Sequence, residues 1–173
     1  MTMKRAILIH IILLFCLLTG CTSRVVKSEG PTPEVRALQN VTVEISPHAV
    51  VKVAGSVDFD AKMLSWVLEE ALNSRELMAS NGDFDLKVVI SDVRVRSTAS
   101  AVWLGMLAGD DHLIGDAIIL NRNGDEVFTF TVEAVYAWGG ITSGGDSTRV
   151  YWLYEKFSDT VTDELVAKRE KKE

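Results

Sequence analysis

The stretch LIGDAIILNRNGDEVFTFTV, residues 113–132, predicts a β-hairpin. Its two arms are rich in apolar residues, and the polar segment 121–125 separates them. Gly124 in this segment can take the positive φ that a tight hairpin turn needs. We therefore expect one strand over residues 113–120 and a second strand from Val127 that continues to Trp138.

A third strand is predicted ahead of the hairpin, because apolar residues there recur at every second position. These residues are Phe84, Leu86, Val88 and Ile90. The apolar positions change parity beyond them, so we expect a β-bulge near residues 91–92. Alternation over residues 41–53 predicts a further strand, or two strands separated at Pro47.

Two segments carry apolar residues at helical spacing. The first follows Asp58, a favourable N-cap residue, and should end near residues 80–82, whereas the second should begin at about Thr148. The apolar positions are Met63, Leu64, Val67, Leu68, Ala71 and Leu72 in the first, and Val150, Leu153, Tyr154, Phe157, Val161 and Leu165 in the second. The order β-α-β-β-β-α predicts an α+β fold with two helices packed on a mostly antiparallel sheet.

Connectivity alone places several features together. In an antiparallel arrangement, the connections 98–112 and 138–147 leave and enter the sheet at the same end. The starts of both helices fall at that end as well, if the first helix makes a βαβ crossover. We therefore expect one end of the domain to carry both loops and both helix N-termini.

The N-terminal segment predicts export. Lys4 and Arg5 precede an apolar run over residues 6–18. A membrane-spanning helix needs about 20 residues, so this run is too short to span a bilayer. A positive start followed by a short apolar run is typical of an export signal.

The run ends in Leu18-Thr19-Gly20-Cys21, which resembles a bacterial lipobox. The resemblance implies that residues 1–20 are a lipoprotein signal peptide, with the three residues before the cysteine as the signal-peptidase motif. It also implies that Cys21 carries a covalent diacylglyceryl group and an N-acyl chain, which anchor a protein stably to a membrane. The alternative is an ordinary secretory signal, or a short anchor, with an accidental cysteine.

The residue after the cysteine bears on localisation. In Gram-negative lipoproteins, which this N-terminus resembles, an Asp at that position commonly retains the protein in the inner membrane. Thr22 therefore implies the periplasmic face of the outer membrane, with the periplasmic face of the inner membrane as the alternative. Residues 21–40 are interrupted by Gly, Pro and Ser and predict a lipidated Cys followed by a flexible tether. Residues 41–173 then form a single α+β periplasmic domain.

Cysteine usage and charge exclude several functions. Cys16 would be lost with the signal peptide and Cys21 would carry lipid, so the remaining chain has no thiol for catalysis or metal binding. The formal charge of the full chain is −6 and becomes −8 once Lys4 and Arg5 are removed. Such an acidic protein has no electrostatic footprint for nucleic acid.

Two loops at the shared end carry apolar residues that an ordinary solvated loop would not have. Our candidate partner-binding residues are Trp103, Leu104, Met106, Trp138 and Ile141. They would dock onto an envelope protein or lipid. The alternative is that the first loop folds over the sheet edge or extends a strand.

The sequence contains no pattern that clearly indicates a catalytic site. Asp110, Asp111, His112 and Asp116 superficially resemble a metal cluster. The first three are contiguous and cannot easily turn all their side chains to one ion, so a solvated loop is expected. Asp83 and Asp85 flank Phe84 on a strand, a spacing from which no glycosidase dyad follows. We expect no enzyme activity, no catalytic residue, no metal and no cofactor besides the lipid on Cys21.

The body also resembles a family of uncharacterised Gram-negative outer-membrane lipoproteins. More remotely it is similar to domains of the curli-secretion lipoprotein and of lipoprotein activators of peptidoglycan synthases. The resemblance rests on the helix after Gly55, the strand after Asn81-Gly82, the glycine-containing stretch 105–115, the hairpin at 123–125 and the closing helix. It implies a protein-binding or assembly accessory of the cell envelope. The alternatives are an envelope enzyme or a small-ligand carrier acting on cell-wall or lipid substrates.

Overall fold

The fold is seen in a computed structural model, which describes residues 22–29, 34–50, 59–97, 109–136 and 145–170. The signal peptide, Cys21 and all five candidate partner-binding residues lie outside these ranges. The elements in chain order are β1 (Thr22–Glu29), β2 (Leu38–Ile45), α1 (Ala61–Ser74), β3 (Phe84–Arg94), β4 (Asp111–Asn121), β5 (Glu126–Tyr136) and α2 (Asp146–Glu170).

The strands form one five-stranded sheet in the order β1-β5-β4-β3-β2. β2 is parallel to β3, and the β1–β5, β5–β4 and β4–β3 pairs are antiparallel. Because β2 and β3 are parallel, α1 is a crossover between neighbouring strands. The predicted α+β class, with two helices on a mostly antiparallel sheet, is confirmed.

The hairpin and the bulge form where the sequence predicts them. The pairing of β3 with β4 shifts between Ile90 and Asp92, so apolar residues beyond the bulge still face the core. In the turn, Gly124 has a φ of 84°. The side chain of Asn121 accepts hydrogen bonds from the backbone N–H groups of Asn123 and Asp125, which closes the turn.

The helix boundaries differ from the predicted ones. Asp60, and not Asp58, is the N-cap of α1, and its carboxylate accepts a hydrogen bond of 2.8 Å from the backbone N–H of Lys62. α1 ends at Ser74, before the predicted stop, because Leu77 is buried and its carbonyl accepts from the N–H of Leu38 at 2.7 Å. This contact draws the chain out of the helix and onto the start of β2.

Strand β1 corrects the prediction of a flexible tether over residues 22–29. Thr22–Glu29 pairs with β5 along the edge of the sheet. Arg24 forms a salt bridge of 2.8 Å with Glu133 on β5, and Val25 packs partly buried against the core. The polar composition of this segment suits an edge strand, where one side remains in solvent.

Both helices cover one face of the sheet, α1 over β2 and α2 over β5, β1 and β4. The core contains residues of both helices and inward residues of the central strands, among them Leu64, Leu68, Val88, Ile119, Phe130 and Phe157. Gly115 allows α2 to approach closely, since a Cβ at this position would lie 3.2 Å from the ring of Phe157 and 3.0 Å from Ile90. Among the described residues, no helix is both long enough and apolar enough to cross a membrane.

The two ends of the sheet differ in what they carry. At one end, which we call the loop end, Thr22 pairs with Val135, Asp111 pairs with Tyr136 and Arg94 pairs with His112. The segments 98–108 and 137–144 connect to strands at this end, as connectivity predicts. The opposite end, the turn end, carries the hairpin turn 121–125 and the end of β1.

Candidate functional site

A buried network of charged residues lies at the loop end. Asp111 and Arg149 are 0% exposed and Arg96 is 5% exposed. Arg96 Nε donates to Asp111 Oδ1 at 2.9 Å, and Arg149 Nε donates to Asp111 Oδ2 at 2.9 Å. Arg149 also donates to the carboxylate of Asp146 at 2.9 Å. We call these four residues the arginine–aspartate network.

The network also binds the backbone on both sides of the first loop. The backbone N–H of Arg96 donates to Asp111 Oδ1 at 2.7 Å. The guanidinium of Arg96 donates to the carbonyl of Gly109, and the guanidinium of Arg149 donates to the carbonyl of Arg96. Arg96 and Gly109 flank segment 98–108, and Asp146 lies just after segment 137–144. The network therefore holds the bases of both loops against the sheet.

Each charge in the network has an opposite partner. Two guanidinium groups and two carboxylates give no net formal charge, and both oxygens of Asp111 accept from arginines. Removing one partner of such a buried pair leaves an uncompensated charge and destabilises a protein strongly. An aspartate held in this way is suited to fixing geometry rather than to proton transfer, because neither oxygen is open to a substrate.

This network was not predicted, and the expectation of a solvated loop at residues 110–112 is wrong for Asp111. Asp111 and His112 open β4, so their side chains point to opposite faces. Asp111 points into the core, while His112 Nε2 lies 3.6 Å from Asp92 on the open face. Within the part of the chain that the structure describes, no group of three His, Cys, Asp or Glu residues is placed to hold a metal ion.

A periodic signal for the network does exist in the sequence. Arg149 precedes Leu153 by four residues and Phe157 by eight, which places it on the buried face of the closing helix. Asp111 shares the parity of Leu113, which places it on the inward face of β4. A charged residue of each sign at a core position predicts an ion pair, since buried charges are almost always paired.

The remaining acidic pair lies at the turn end. Asp85 accepts hydrogen bonds from the backbone and the side chain of Asn40, at 3.1 and 2.9 Å. Asp83 forms an exposed salt bridge of 2.7 Å with Arg122. Both carboxylates thus have structural partners that link neighbouring parts of this end.

A solvent-open groove of about 290 Å³ lies between the two helices. Most of its lining is polar or charged: Val67, Glu70, Ala71, Tyr151, Glu155, Lys156, Ser158 and Asp159. A carrier of apolar ligands needs an enclosed apolar cavity, which this groove does not provide.

Similarity to known proteins is found in structure and not in sequence. No protein-family model matches the sequence, and no curated protein matches it. Two crystal structures of a PelC dodecamer from Paraburkholderia phytofirmans, one of a point variant, match with a TM-score of 0.48. Their identities are 15% and 14%, and each match covers 82% of this chain and 98% of that chain. A minor lipoprotein from Acinetobacter baumannii matches with a TM-score of 0.39 and 15% identity, over 81% of this chain and 95% of that chain. These scores are too low to carry a functional argument.

Proposed function

We propose that this chain is a lipid-anchored protein of the bacterial cell envelope. The observation that carries the proposal is Leu18-Thr19-Gly20-Cys21 at the end of a short apolar run. Acylation of Cys21 would supply the membrane attachment, because two or three acyl chains bind a bilayer stably where one does not.

Labelling with a clickable palmitate analogue in cells tests the lipidation. Cys21→Ser abolishes the label, since the hydroxyl does not replace the thiol that takes up the diacylglyceryl group. Cys16→Ser is the matched control, because this cysteine lies in the segment that the signal peptidase removes, and it leaves the label unchanged. Equal labelling of both variants would refute lipidation at Cys21.

We further propose that the anchored domain faces the periplasm from the outer membrane. Thr22 after the cysteine supports this, by the sorting pattern of Gram-negative lipoproteins. Thr22→Asp is predicted to move the protein to the inner membrane in fractionated cells, while Thr22→Ser leaves it in place. Thr22 is exposed at the end of an edge strand, so neither change disturbs the core.

We propose a non-catalytic role, as a protein-binding or assembly accessory whose contact residues are Trp103, Leu104, Met106, Trp138 and Ile141. The apolar sequence of both loops supports this, and so does the arginine–aspartate network, which fixes the bases from which the loops extend. Fixed loop bases lower the entropy lost when a partner binds.

Site-specific photo-crosslinking in cells tests the binding role. A probe at Leu104 or Ile141 is expected to give a discrete protein adduct. A probe at Glu69, which is exposed on α1, is the control and should give none. Adducts to lipid alone, or no adduct from either loop, would contradict a protein partner at these residues.

A further inference from the structure

We propose that the loop end of the domain lies against the bilayer that holds the lipid of Cys21. This orientation rests on the proposed lipidation. It deepens the proposed function, because it assigns which end of the anchored domain lies next to the membrane.

The position of β1 is the first argument. Cys21 is joined directly to Thr22, so their Cα atoms are about 3.8 Å apart. Thr22 is the first residue of β1 and pairs with Val135, next to the last residue of β5. The acyl chains therefore leave the domain at the loop end.

The second argument is that β1 is fixed to the domain. It pairs with β5 from Thr22 to Glu29. Ser23 also accepts a hydrogen bond of 2.7 Å from Thr160 on α2, and Arg24 Nε donates a hydrogen bond of 2.9 Å to the carboxylate of Glu133. With no linker between the lipidated residue and this strand, the domain cannot move its loop end far from the membrane.

The third argument is the composition of two segments that connect to strands at the loop end. Segments 98–108 and 137–144 contain no Asp, Glu, Lys or Arg and include two tryptophans. The connections at the turn end are charged, with Arg122 and Asp125 in the hairpin turn. Tryptophan favours the membrane interface, and a charged side chain becomes costly in the hydrocarbon core beyond it. These two tryptophan-containing segments thus suit the bilayer interface.

The buried charges beneath the loops fit the same orientation. In the arginine–aspartate network the guanidinium groups and carboxylates are equal in number and paired with one another. A bilayer surface above them would therefore not strip water from an unpaired charge. Any protein that binds the loop end must reach it at the membrane surface.

The orientation predicts a large difference in height between two exposed positions. β4 spans 11 residues from Asp111 to Asn121. At about 3.3 Å per residue, its ends are about 33 Å apart. Ser147, at the start of α2, is exposed at the loop end, and Asn123 is exposed in the turn at the other end.

The experiment uses the full-length protein, expressed with its signal and reconstituted in phosphatidylethanolamine–phosphatidylglycerol vesicles. Acylation of Cys21 is verified by mass before labelling. Ser147→Cys and Asn123→Cys are each labelled with a small fluorophore. Headgroup-brominated or nitroxide lipid in the vesicles serves as the quencher, and the extent of quenching is compared between the two positions. We expect quenching several-fold stronger at Ser147 than at Asn123. Asp110→Cys and Asp125→Cys form a second matched pair of exposed aspartates at the same two ends.

The outcomes separate the two proposals. Equal quenching at both ends, or stronger quenching at the turn end, in protein with acylated Cys21 would overturn the orientation and leave lipidation standing. Protein that reaches the membrane without acylation of Cys21 would overturn the proposed lipidation, and the orientation with it.

Discussion

The arginine–aspartate network predicts that Asp111→Asn is among the most destabilising single changes at the loop end. The substitution keeps the size of the side chain but removes the negative charge between Arg96 and Arg149. Both guanidinium groups then stay buried without that carboxylate. Breaking a buried ion pair in this way costs about 3–5 kcal/mol. The loss is a large fraction of the roughly 5–15 kcal/mol by which a domain is stable.

This loss in the free energy of unfolding can be measured as a decrease in melting temperature. For a domain of this size, 1 kcal/mol shifts Tm by roughly 2–4 °C, so Asp111→Asn should lower Tm by about 6–20 °C. Circular dichroism during thermal and urea unfolding measures it. Asp116→Asn is the matched control on the same strand, since its side chain faces away from the core and keeps an acceptor for Thr131. The control should stay within about 0.5 kcal/mol of the unchanged protein.

A loss below about 1 kcal/mol for Asp111→Asn would refute the reasoning, because it would place the variant in the range of ordinary substitutions. A triple replacement provides a second check on the same idea. Asp111→Leu combined with Arg96→Met and Arg149→Met removes all three charges together. Replacing a buried ion network by apolar residues of similar volume is often neutral or stabilising, so this variant should be more stable than Asp111→Asn.

Two further predictions concern glycines. Gly115→Val should cost about 1–3 kcal/mol in urea unfolding, because even a Cβ would lie 3.2 Å from Phe157, and the added methyl groups overpack the space between α2 and the sheet. Gly124→Ala should cost about 1–2 kcal/mol, because its φ of 84° is unfavourable for a residue with a Cβ, although open space surrounds this position. Gly124→Asn serves as the control for the turn, since Asn tolerates this conformation better, and it should lose less stability than Gly124→Ala.

The central sheet could be predicted from the sequence because its strands carry strong alternation. β3, β4 and β5 place apolar residues at every second position, and one face of each is buried by helices. The bulge followed from a change of parity, and the turn followed from its Asn and Gly residues. Local pattern and tertiary packing agree at these positions.

Strand β1 could not be predicted in the same way. Its residues are mostly polar, and it forms because β5 offers an unpaired edge with Glu133 opposite Arg24. Such pairing depends on a partner more than 100 residues away in the chain, which no local pattern reveals. The end of α1 was missed for a similar reason, since the contact of Leu77 with Leu38 stops the helix.

Only part of the candidate site could be predicted from the sequence. Connectivity placed both loops at one end, and composition singled out their apolar residues. The arginine–aspartate network was not predicted, because charged residues are mostly exposed unless they are paired, and the pairing of Asp111 with two arginines appears only in the structure. The position of Thr22 at the same end required the pairing of β1 with β5.

The proposed lipid anchor is tested most directly by the intact mass of the protein extracted from bacterial membranes, together with fragmentation of its N-terminal peptide. The proposal predicts a chain that begins at Cys21, with a diacylglyceryl thioether and an N-acyl chain on that residue. A chain that begins elsewhere, or a Cys21 without acyl groups, would contradict it.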